Sequence, residues 1–237
     1  MRGKKVSDIK RIWELDAFRG LCILGVVAVH VIFDIQELFG TLQNMPGWFD
    51  FIQHYGGILF VVLSGICITL GHRNIMRGLV VAGGAAIISL VTCLLFSKRL
   101  WILFGVLHLL AFCMLTYGLY KKLPLWLTAA LGLAVIGLGF WFESFYIDAE
   151  WLFPLGLITR SFSAGDFFPI CPNLGYFMLG TVIGRSVYKN KKTLFPKVPE
   201  ECFIIRVFSF LGRHSLIIYL AHQPVAYGIC FIISRLI

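Results

Sequence analysis

Residues 79–96 read LVVAGGAAIISLVTCLLF, eighteen consecutive positions without a charged side chain. A helix of this length spans about 27 Å at 1.5 Å per residue, close to the roughly 30 Å thickness of a bilayer core. Six further apolar segments of similar length occupy residues 17–33, 51–70, 100–120, 125–142, 167–183 and 216–233. The sequence therefore predicts an all-α polytopic membrane protein, a bundle of about seven transmembrane helices.

The composition also favours a membrane protein over a water-soluble one. Apolar residues make up 59% of the 237 positions, charged residues only 14%, and the mean hydropathy is +0.86. A net charge of +9 would suggest nucleic acid in a soluble protein, but this composition excludes that class, so no nucleic-acid partner is expected. Seven cysteines without a C-x-x-C pair indicate neither a disulfide framework nor a metal site. No composition break or internal repeat divides the chain, so residues 1–237 are predicted to form one domain.

The distribution of Lys and Arg between the segments predicts the orientation in the membrane. The N-terminal arm and every second connection carry seventeen of these residues, and the opposite face carries four. Because cytoplasmic connections hold the excess of positive charge, the N-terminus is expected in the cytoplasm and the C-terminus outside. The basic start precedes the first apolar segment without a cleavage site, so that segment is expected to remain in the protein. The expected location is the plasma membrane, with several passes.

Three stretches depart from a simple pattern of spans. The segment 167–183 contains two prolines and Asn173, which predict a bent or broken helix. The connection 143–166 is long, aromatic and acidic, and we expect it to cap a site. The basic connection 185–213 contains residues 203–211, whose pattern predicts an amphipathic helix at the membrane surface.

Ionisable residues inside the first apolar segment form a polar stripe. His30 follows Arg19 by eleven residues, which places it about 16 Å further along the helix and within about 20° of the same face. Asp34 follows His30 by four residues, within side-chain reach on that face. Such a carboxylate would hold the imidazole in one tautomer and raise its basicity. Because charges inside a membrane are costly, this stripe is a candidate functional site.

Other polar residues are expected near the same depth. His108 lies about 13 Å along its helix from Arg99, and His222 about 13 Å from Arg213, so three imidazoles are predicted near one plane. Gln223 follows His222 directly, and His54 lies closer to the outer end of the second segment.

Five stretches of the chain carry a resemblance to a known family. They are ELDAFRGLCILGVVAVHVIFD (residues 14–34), FVVLSG (60–65), FGVLHLLAF (104–112), DFFPICPNLGYFMLG (166–180) and LGRHSLIIYLAHQP (211–224). Together they resemble the heparan-alpha-glucosaminide N-acetyltransferase catalytic-domain family and its bacterial relatives, which implies a bacterial inner membrane. The spacing of Arg19 and His30 is also similar to the Arg/Lys-x10-His signature of the wider transmembrane acyltransferase superfamily.

The resemblance implies an acyl-CoA-dependent O- or N-acetyltransferase. In the superfamily the histidine is catalytic, the acyl-CoA comes from the cytoplasm, and the acceptor is commonly a carbohydrate on the far side of the membrane. His30 then acts as base or as transient acyl carrier, oriented by Asp34, and Arg19 holds the donor; the sequence leaves direct and two-step transfer open. Acetyl-CoA, a glycan or amino-sugar acceptor, the bilayer and a second copy of the chain in a homodimer are the candidate partners.

Further residues are assigned to the donor and the acceptor by charge and position. Cations expected to bind the CoA phosphates are Arg19, Arg73, Arg77, Lys121, Lys122 and Arg185. Residues expected to hold the acceptor or the thioester oxyanion are His54, His108, Asp166, Asn173, His222 and Gln223.

One departure and two alternatives limit this assignment. The lysosomal member of the family has an asparagine at the position of His30 and its catalytic histidine in the first outer loop, whereas residues 39–49 here contain no histidine. Heparan specificity is therefore not carried over. The intramembrane histidines are also compatible with a haem-binding electron carrier, and the broken sixth segment with a transporter or lipid flippase.

Overall fold

The computed structural model describes residues 12–39, 47–95 and 97–236, and these residues are mostly helical. The α-helices are α1 (Trp13–Phe39), α2 (Gly47–Leu70), α3 (Asn74–Leu95), α4 (Val106–Tyr120), α5 (Leu125–Phe142), α6 (Ile170–Val187), α7 (Phe203–Arg213) and α8 (Ser215–Leu236). Two 3₁₀ helices, Lys98–Leu100 and Glu150–Leu155, lie in the connections before α4 and α6. The described residues contain no strand beyond one isolated bridge, so the all-α prediction is confirmed.

Three of the described helices are long and apolar enough to cross a membrane, namely Trp13–Phe33 within α1, all of α3 and all of α5. Helices α7 and α8 meet at an angle of 79° and add a fourth crossing if the bent pair is one span. The apolar part of α2, Tyr55–Leu70, is shorter, and so is α4. These apolar helices fit a membrane protein, whereas the bundle of seven spans and the cytoplasmic N-terminus stay predictions.

Helices α4 and α6 begin later than the apolar pattern predicts, and α6 begins at Ile170 instead of residue 167. Helix α4 begins at Val106 instead of residue 100, because residues 101–105 are extended and pair with the stretch before α6. Phe168 donates a backbone hydrogen bond to Phe104 at 2.9 Å, and Gly165 donates one to Trp101 at 3.1 Å. Non-helical backbone at membrane depth needs such internal partners, and these two stretches supply them to each other.

The predicted break in the sixth segment is confirmed. Helix α6 begins at Ile170, and Cys171 has a non-helical backbone with φ −97° and ψ 126°. The side-chain amide of Asn173 donates a hydrogen bond to the carbonyl of Pro169 at 2.9 Å, across this kink. Beyond it, α6 packs on α2, where a Cβ on Gly180 or on Gly65 would overlap the backbone of the facing helix. The Gly180-x-x-x-Gly184 pattern is thus a packing signal.

The amphipathic helix predicted at residues 203–211 is observed as α7, and it packs on the start of α1. The two helices touch at Gly20 and Gly212, where a Cβ on either glycine would overlap the backbone of the other helix. Ser209 and Gly212 face α1 and are buried, whereas Phe203 is 79% exposed. The close contact brings α8, which follows α7 directly, alongside α1.

Candidate active site

Two cavities meet inside the bundle. The larger, with a volume of about 1420 Å³, is lined by His30 and Asp166 and is called here the histidine cavity. The smaller, of about 280 Å³, is lined by Arg19, Arg77 and Arg213 and is called the arginine cavity. The sequence prediction placed Arg19 and His30 on one face of one helix, and in the structure they face two different cavities.

His30 is placed in the histidine cavity by α1. Its Nδ1 lies 2.9 Å from the carbonyl oxygen of Val26, one helical turn earlier. A carbonyl oxygen only accepts hydrogen bonds, so Nδ1 carries the hydrogen and Nε2 of the neutral ring carries the lone pair. The backbone thus selects a tautomer whose second nitrogen can act as base or nucleophile.

His222 of α8 packs edge-on against His30, with ring centres 4.8 Å apart and planes at 86°. Its Nδ1 lies 2.6 Å from the carbonyl oxygen of Tyr219, so this ring has the same tautomer as His30. Its Nε2 is buried and has no hydrogen-bond partner in the described part of the chain. Because a buried polar atom without a partner is costly, this nitrogen is a candidate for contact with a ligand.

Asp166 lies in the connection before α6. Its Oδ2 accepts hydrogen bonds from the hydroxyl of Tyr219 at 3.2 Å and from the backbone N–H of Val106 at 3.3 Å. Burial raises the pKa of this carboxyl above its usual range, and the nearby His30 opposes that shift. Among the described side chains, Asp166 is thus a carboxyl group that lines the same cavity as His30 and interacts with it electrostatically.

The predicted pair of His30 and Asp34 stays a prediction. The backbone of Asp34 belongs to α1, but its side chain lies outside the described residues, as does the side chain of His54 in α2.

His108 is held by the protein at both ring nitrogens. The backbone N–H of Gly105 donates to Nδ1 at 3.2 Å, so Nε2 carries the hydrogen and faces the Ser89 hydroxyl at 3.0 Å. Ser89 in turn donates to the carbonyl of Ile102 at 2.5 Å. These contacts tie the first turn of α4 to α3 and to the extended stretch before α4. The two cavity linings, as far as the described residues show, do not include His108.

The remaining predicted acceptor residues, Asn173 and Gln223, both line the histidine cavity. Asn173 is buried, and its amide also stabilises the kink of α6.

Of the six cations predicted to bind the donor, two line the arginine cavity and four do not. Arg19 and Arg77 line the arginine cavity, and Arg19 lies 3.9 Å from Asp16. Arg185 instead donates to the carbonyl of Leu123 at 2.7 Å and so ties α6 to the turn before α5. The other three cations, which lie in exposed turns, are Arg73, Lys121 and Lys122.

Three residues of the site escaped the sequence analysis. Tyr219 and Phe60 line both cavities, and Arg213 joins the two predicted arginines. Tyr219 lies one helical turn before His222, and a tyrosine hydroxyl within an apolar segment needs a partner. That signal was present in the sequence, whereas the roles of Phe60 and Arg213 depend on contacts between distant helices.

A protein-family model described as heparan-alpha-glucosaminide N-acetyltransferase, catalytic, matches residues 11–224 of the chain. No curated protein and no solved structure matches the chain.

Proposed function

The chain belongs to the heparan-alpha-glucosaminide N-acetyltransferase catalytic family, and from this membership we propose a membrane-embedded enzyme that transfers the acetyl group of acetyl-CoA to a sugar or amino sugar. Acetyltransferase activity is what the family implies. The identity of the donor, the identity of the acceptor and the roles of individual residues are what we propose. The observation that carries it is that His30, against which His222 packs, lines one cavity together with Asp166, and that an adjoining cavity is lined by three arginines.

His30 is proposed as the residue that activates the acceptor. In direct transfer, Nε2 takes the proton of the acceptor hydroxyl or amine while the acceptor lone pair forms a bond to the thioester carbonyl carbon. The C–S bond then breaks with its electron pair on sulfur, and the CoA thiolate takes the proton from His30. In the two-step route, Nε2 itself forms the bond to the carbonyl carbon, and the C–S bond breaks with its electron pair on sulfur. The acceptor lone pair then bonds to the same carbon, the C–N bond breaks with its pair returning to Nε2, and the CoA thiolate takes the acceptor proton. Both routes need the lone pair on Nε2 that the Val26 carbonyl favours.

His222 and Asp166 are proposed to support His30. The unpartnered Nε2 of His222 can accept a hydrogen bond from the acceptor and orient it next to His30. When His30 holds a proton, the carboxylate of Asp166 stabilises the imidazolium charge.

The arginine cavity is proposed to receive the donor. Guanidinium groups bind phosphate with two parallel hydrogen bonds, and Arg19, Arg77 and Arg213 bring three of them to one cavity. They lie on the face that the distribution of Lys and Arg predicts to be cytoplasmic, where acetyl-CoA is available. A cavity of about 280 Å³ takes only part of the donor, so the nucleotide is expected to extend toward the surface.

The histidine cavity is proposed to receive the acceptor. Its volume of about 1420 Å³ exceeds the roughly 300–1,000 Å³ of a usual small-molecule site, which leaves room for a sugar with a substituent.

The geometry weighs against the haem alternative for one pair of histidines. Two imidazoles on one metal would point their nitrogens at it from about 2 Å each, with ring centres farther apart than the two nitrogens. His30 and His222 pack edge to face with centres only 4.8 Å apart. The transporter alternative predicts movement of a substrate without chemistry.

Mass spectrometry of candidate acceptors tests the proposal directly. Membranes containing the protein are incubated with isotopically labelled acetyl-CoA and a panel of sugars, amino sugars and glycolipids. We expect a labelled acetyl ester or amide that is missing from membranes with the His30→Ala variant. Label that appears equally in both samples, or movement of an unmodified sugar across the membrane, would contradict the proposal.

A further inference from the structure

The histidine cavity and the arginine cavity are separated where they meet by two side chains. Phe60 of α2 and Tyr219 of α8 line both cavities, and among the described residues the two linings share no other member. Phe60 is 8% exposed and Tyr219 is 7% exposed, so both rings are packed into the bundle. An acetyl group that enters with CoA beside the arginines must pass these two rings to reach His30.

The Tyr219 ring is held in place by its hydroxyl, which donates to Oδ2 of Asp166 at 3.2 Å. Hydroxyl hydrogen bonds usually measure about 2.5–3.0 Å, so this contact is a long one. Asp166 keeps a second donor, the backbone N–H of Val106, when Tyr219 moves away. The bond between Tyr219 and Asp166 can therefore open without leaving the carboxylate without a partner.

We propose that Tyr219 is both the gate between the two cavities and the hydrogen-bond donor to the thioester carbonyl oxygen. The inference rests on the proposed acetyl transfer. As the donor arrives, the Tyr219 hydroxyl leaves Asp166 and turns to that oxygen, and the released carboxylate faces His30 as the imidazole takes up a proton.

The role of the hydroxyl is the same in direct and in two-step transfer. When the nucleophile bonds to the carbonyl carbon, the π electron pair moves to oxygen, and Tyr219 donates a hydrogen bond to the oxyanion without losing its proton. When the pair returns, the C–S bond breaks and the CoA thiolate leaves. A donor placed at a developing oxyanion contributes about 10²–10³ in kcat.

Activity measurements separate the hydroxyl from the ring. Tyr219→Phe retains the ring and removes only the donor, and we expect kcat to fall about 10²–10³-fold with little change in the KM for acetyl-CoA. The matched control is Tyr120→Phe on α4, because Tyr120 is 8% exposed against 7% for Tyr219 and the described residues offer its hydroxyl no partner. We expect that control to keep the parent kcat. A Tyr219→Phe variant with the parent kcat would overturn the oxyanion role.

The gate is tested without any activity, by two native cysteines. Cys22 lines the histidine cavity and Cys67 lines the arginine cavity. Variants that retain one of them, with the other six cysteines replaced by serine, are placed in sealed vesicles and treated from one side with a membrane-impermeant thiol reagent. With Tyr219 present, we expect a reagent from the side of the histidine cavity to label Cys22 and to spare Cys67.

Removing the ring should open the path. We expect Tyr219→Ala to speed labelling of Cys67 from the side of the histidine cavity at least about tenfold, and Tyr219→Phe to leave it slow. Labelling of Cys67 that is fast already with Tyr219 present, or unchanged in Tyr219→Ala, would overturn the gate. If no acetyl transfer is found while the labelling follows expectation, the proposed function and the oxyanion role fail and the gate stands.

Discussion

His108 on α4 and the pair of His30 and His222 between α1 and α8 are the same residue type used in two ways. The ring of His108 is bonded at Nδ1 and faces a hydroxyl at Nε2. In the described part of the chain, His30 and His222 each donate one hydrogen bond, from Nδ1 to a carbonyl of their own helix, and their rings touch each other. We therefore expect the partner of the second nitrogen to distinguish a histidine that stabilises the fold from one that acts on a ligand.

The difference comes from where each histidine lies along its helix. His108 is in the first turn of α4, where the N–H of Gly105 has no helical acceptor and the ring can supply one. His30 and His222 lie in the middle of their helices, where the carbonyls of Val26 and Tyr219 are within reach. A mid-helix position thus leaves the second nitrogen for something outside the helix.

The largest expected effect is that of His30→Ala. Loss of the base or nucleophile should lower acetyl transfer at least about 10²-fold, while thermal unfolding in detergent stays close to that of the parent. Turnover of labelled acetyl-CoA and tryptophan fluorescence measure the two quantities. Parent turnover in this variant would contradict a catalytic role for His30 and remove its difference from His108.

The same distinction extends to the arginines. Arg77→Ala removes a cation from the arginine cavity, and we expect the KM for acetyl-CoA to rise about tenfold or more. Arg185→Ala is its control, since Arg185 bonds to the Leu123 carbonyl, and it should lower stability without raising that KM. A reversed result would place the donor elsewhere in the protein.

His222→Phe tests the unpartnered nitrogen while retaining a ring against His30. Loss of one hydrogen bond to the acceptor corresponds to about tenfold in kcat/KM. Steady-state kinetics at varied acceptor concentration measure it. If the variant loses stability but keeps the parent kcat/KM, His222 stabilises the fold as His108 does and does not bind the acceptor.

The smallest effect on activity is expected for His108→Ala. The change leaves the Gly105 N–H without its acceptor and removes one of the two hydrogen bonds of the Ser89 hydroxyl, which should lower the free energy of unfolding by about 1–3 kcal/mol. The kcat of the protein that remains folded should match the parent. Denaturant titration in detergent together with kinetics measures both, and a lower kcat at parent stability would erase the contrast with His30.

The sequence predicts a structural feature best where the residues that determine it lie within one helix. Apolar length located the long helices, the prolines located the kink of α6, and the amphipathic pattern located α7. The start of α4 was placed too early because residues 100–105 are as apolar as a helix, while their backbone pairs with residues 165–168. That pairing joins distant parts of the chain and leaves no local pattern.

The site shows the same limit. The spacing to Arg19 identifies His30 as a candidate, and the sequence pairs it with Asp34 because Asp34 lies one turn away on the same helix. Asp166, which the structure places near His30, lies 136 positions further along the chain. Helical spacing relates residues within one helix, so partners such as Asp166 and Tyr219 require the packed structure.

The contact between Gly20 and Gly212 is a common reference point for the positions of His30 and His222. His30 follows Gly20 by ten residues, and His222 follows Gly212 by ten residues. The interval from Gly20 to His30 lies within α1, so it sets the rotational phase of the His30 ring, and one added or deleted residue turns that ring by about 100° away from His222. The interval from Gly212 crosses the 79° bend into α8 before it reaches His222. A single substitution between Gly20 and His30 leaves that phase unchanged, whereas a change in the length of the interval does not, and comparing a one-alanine insertion there with Val27→Ala measures the difference.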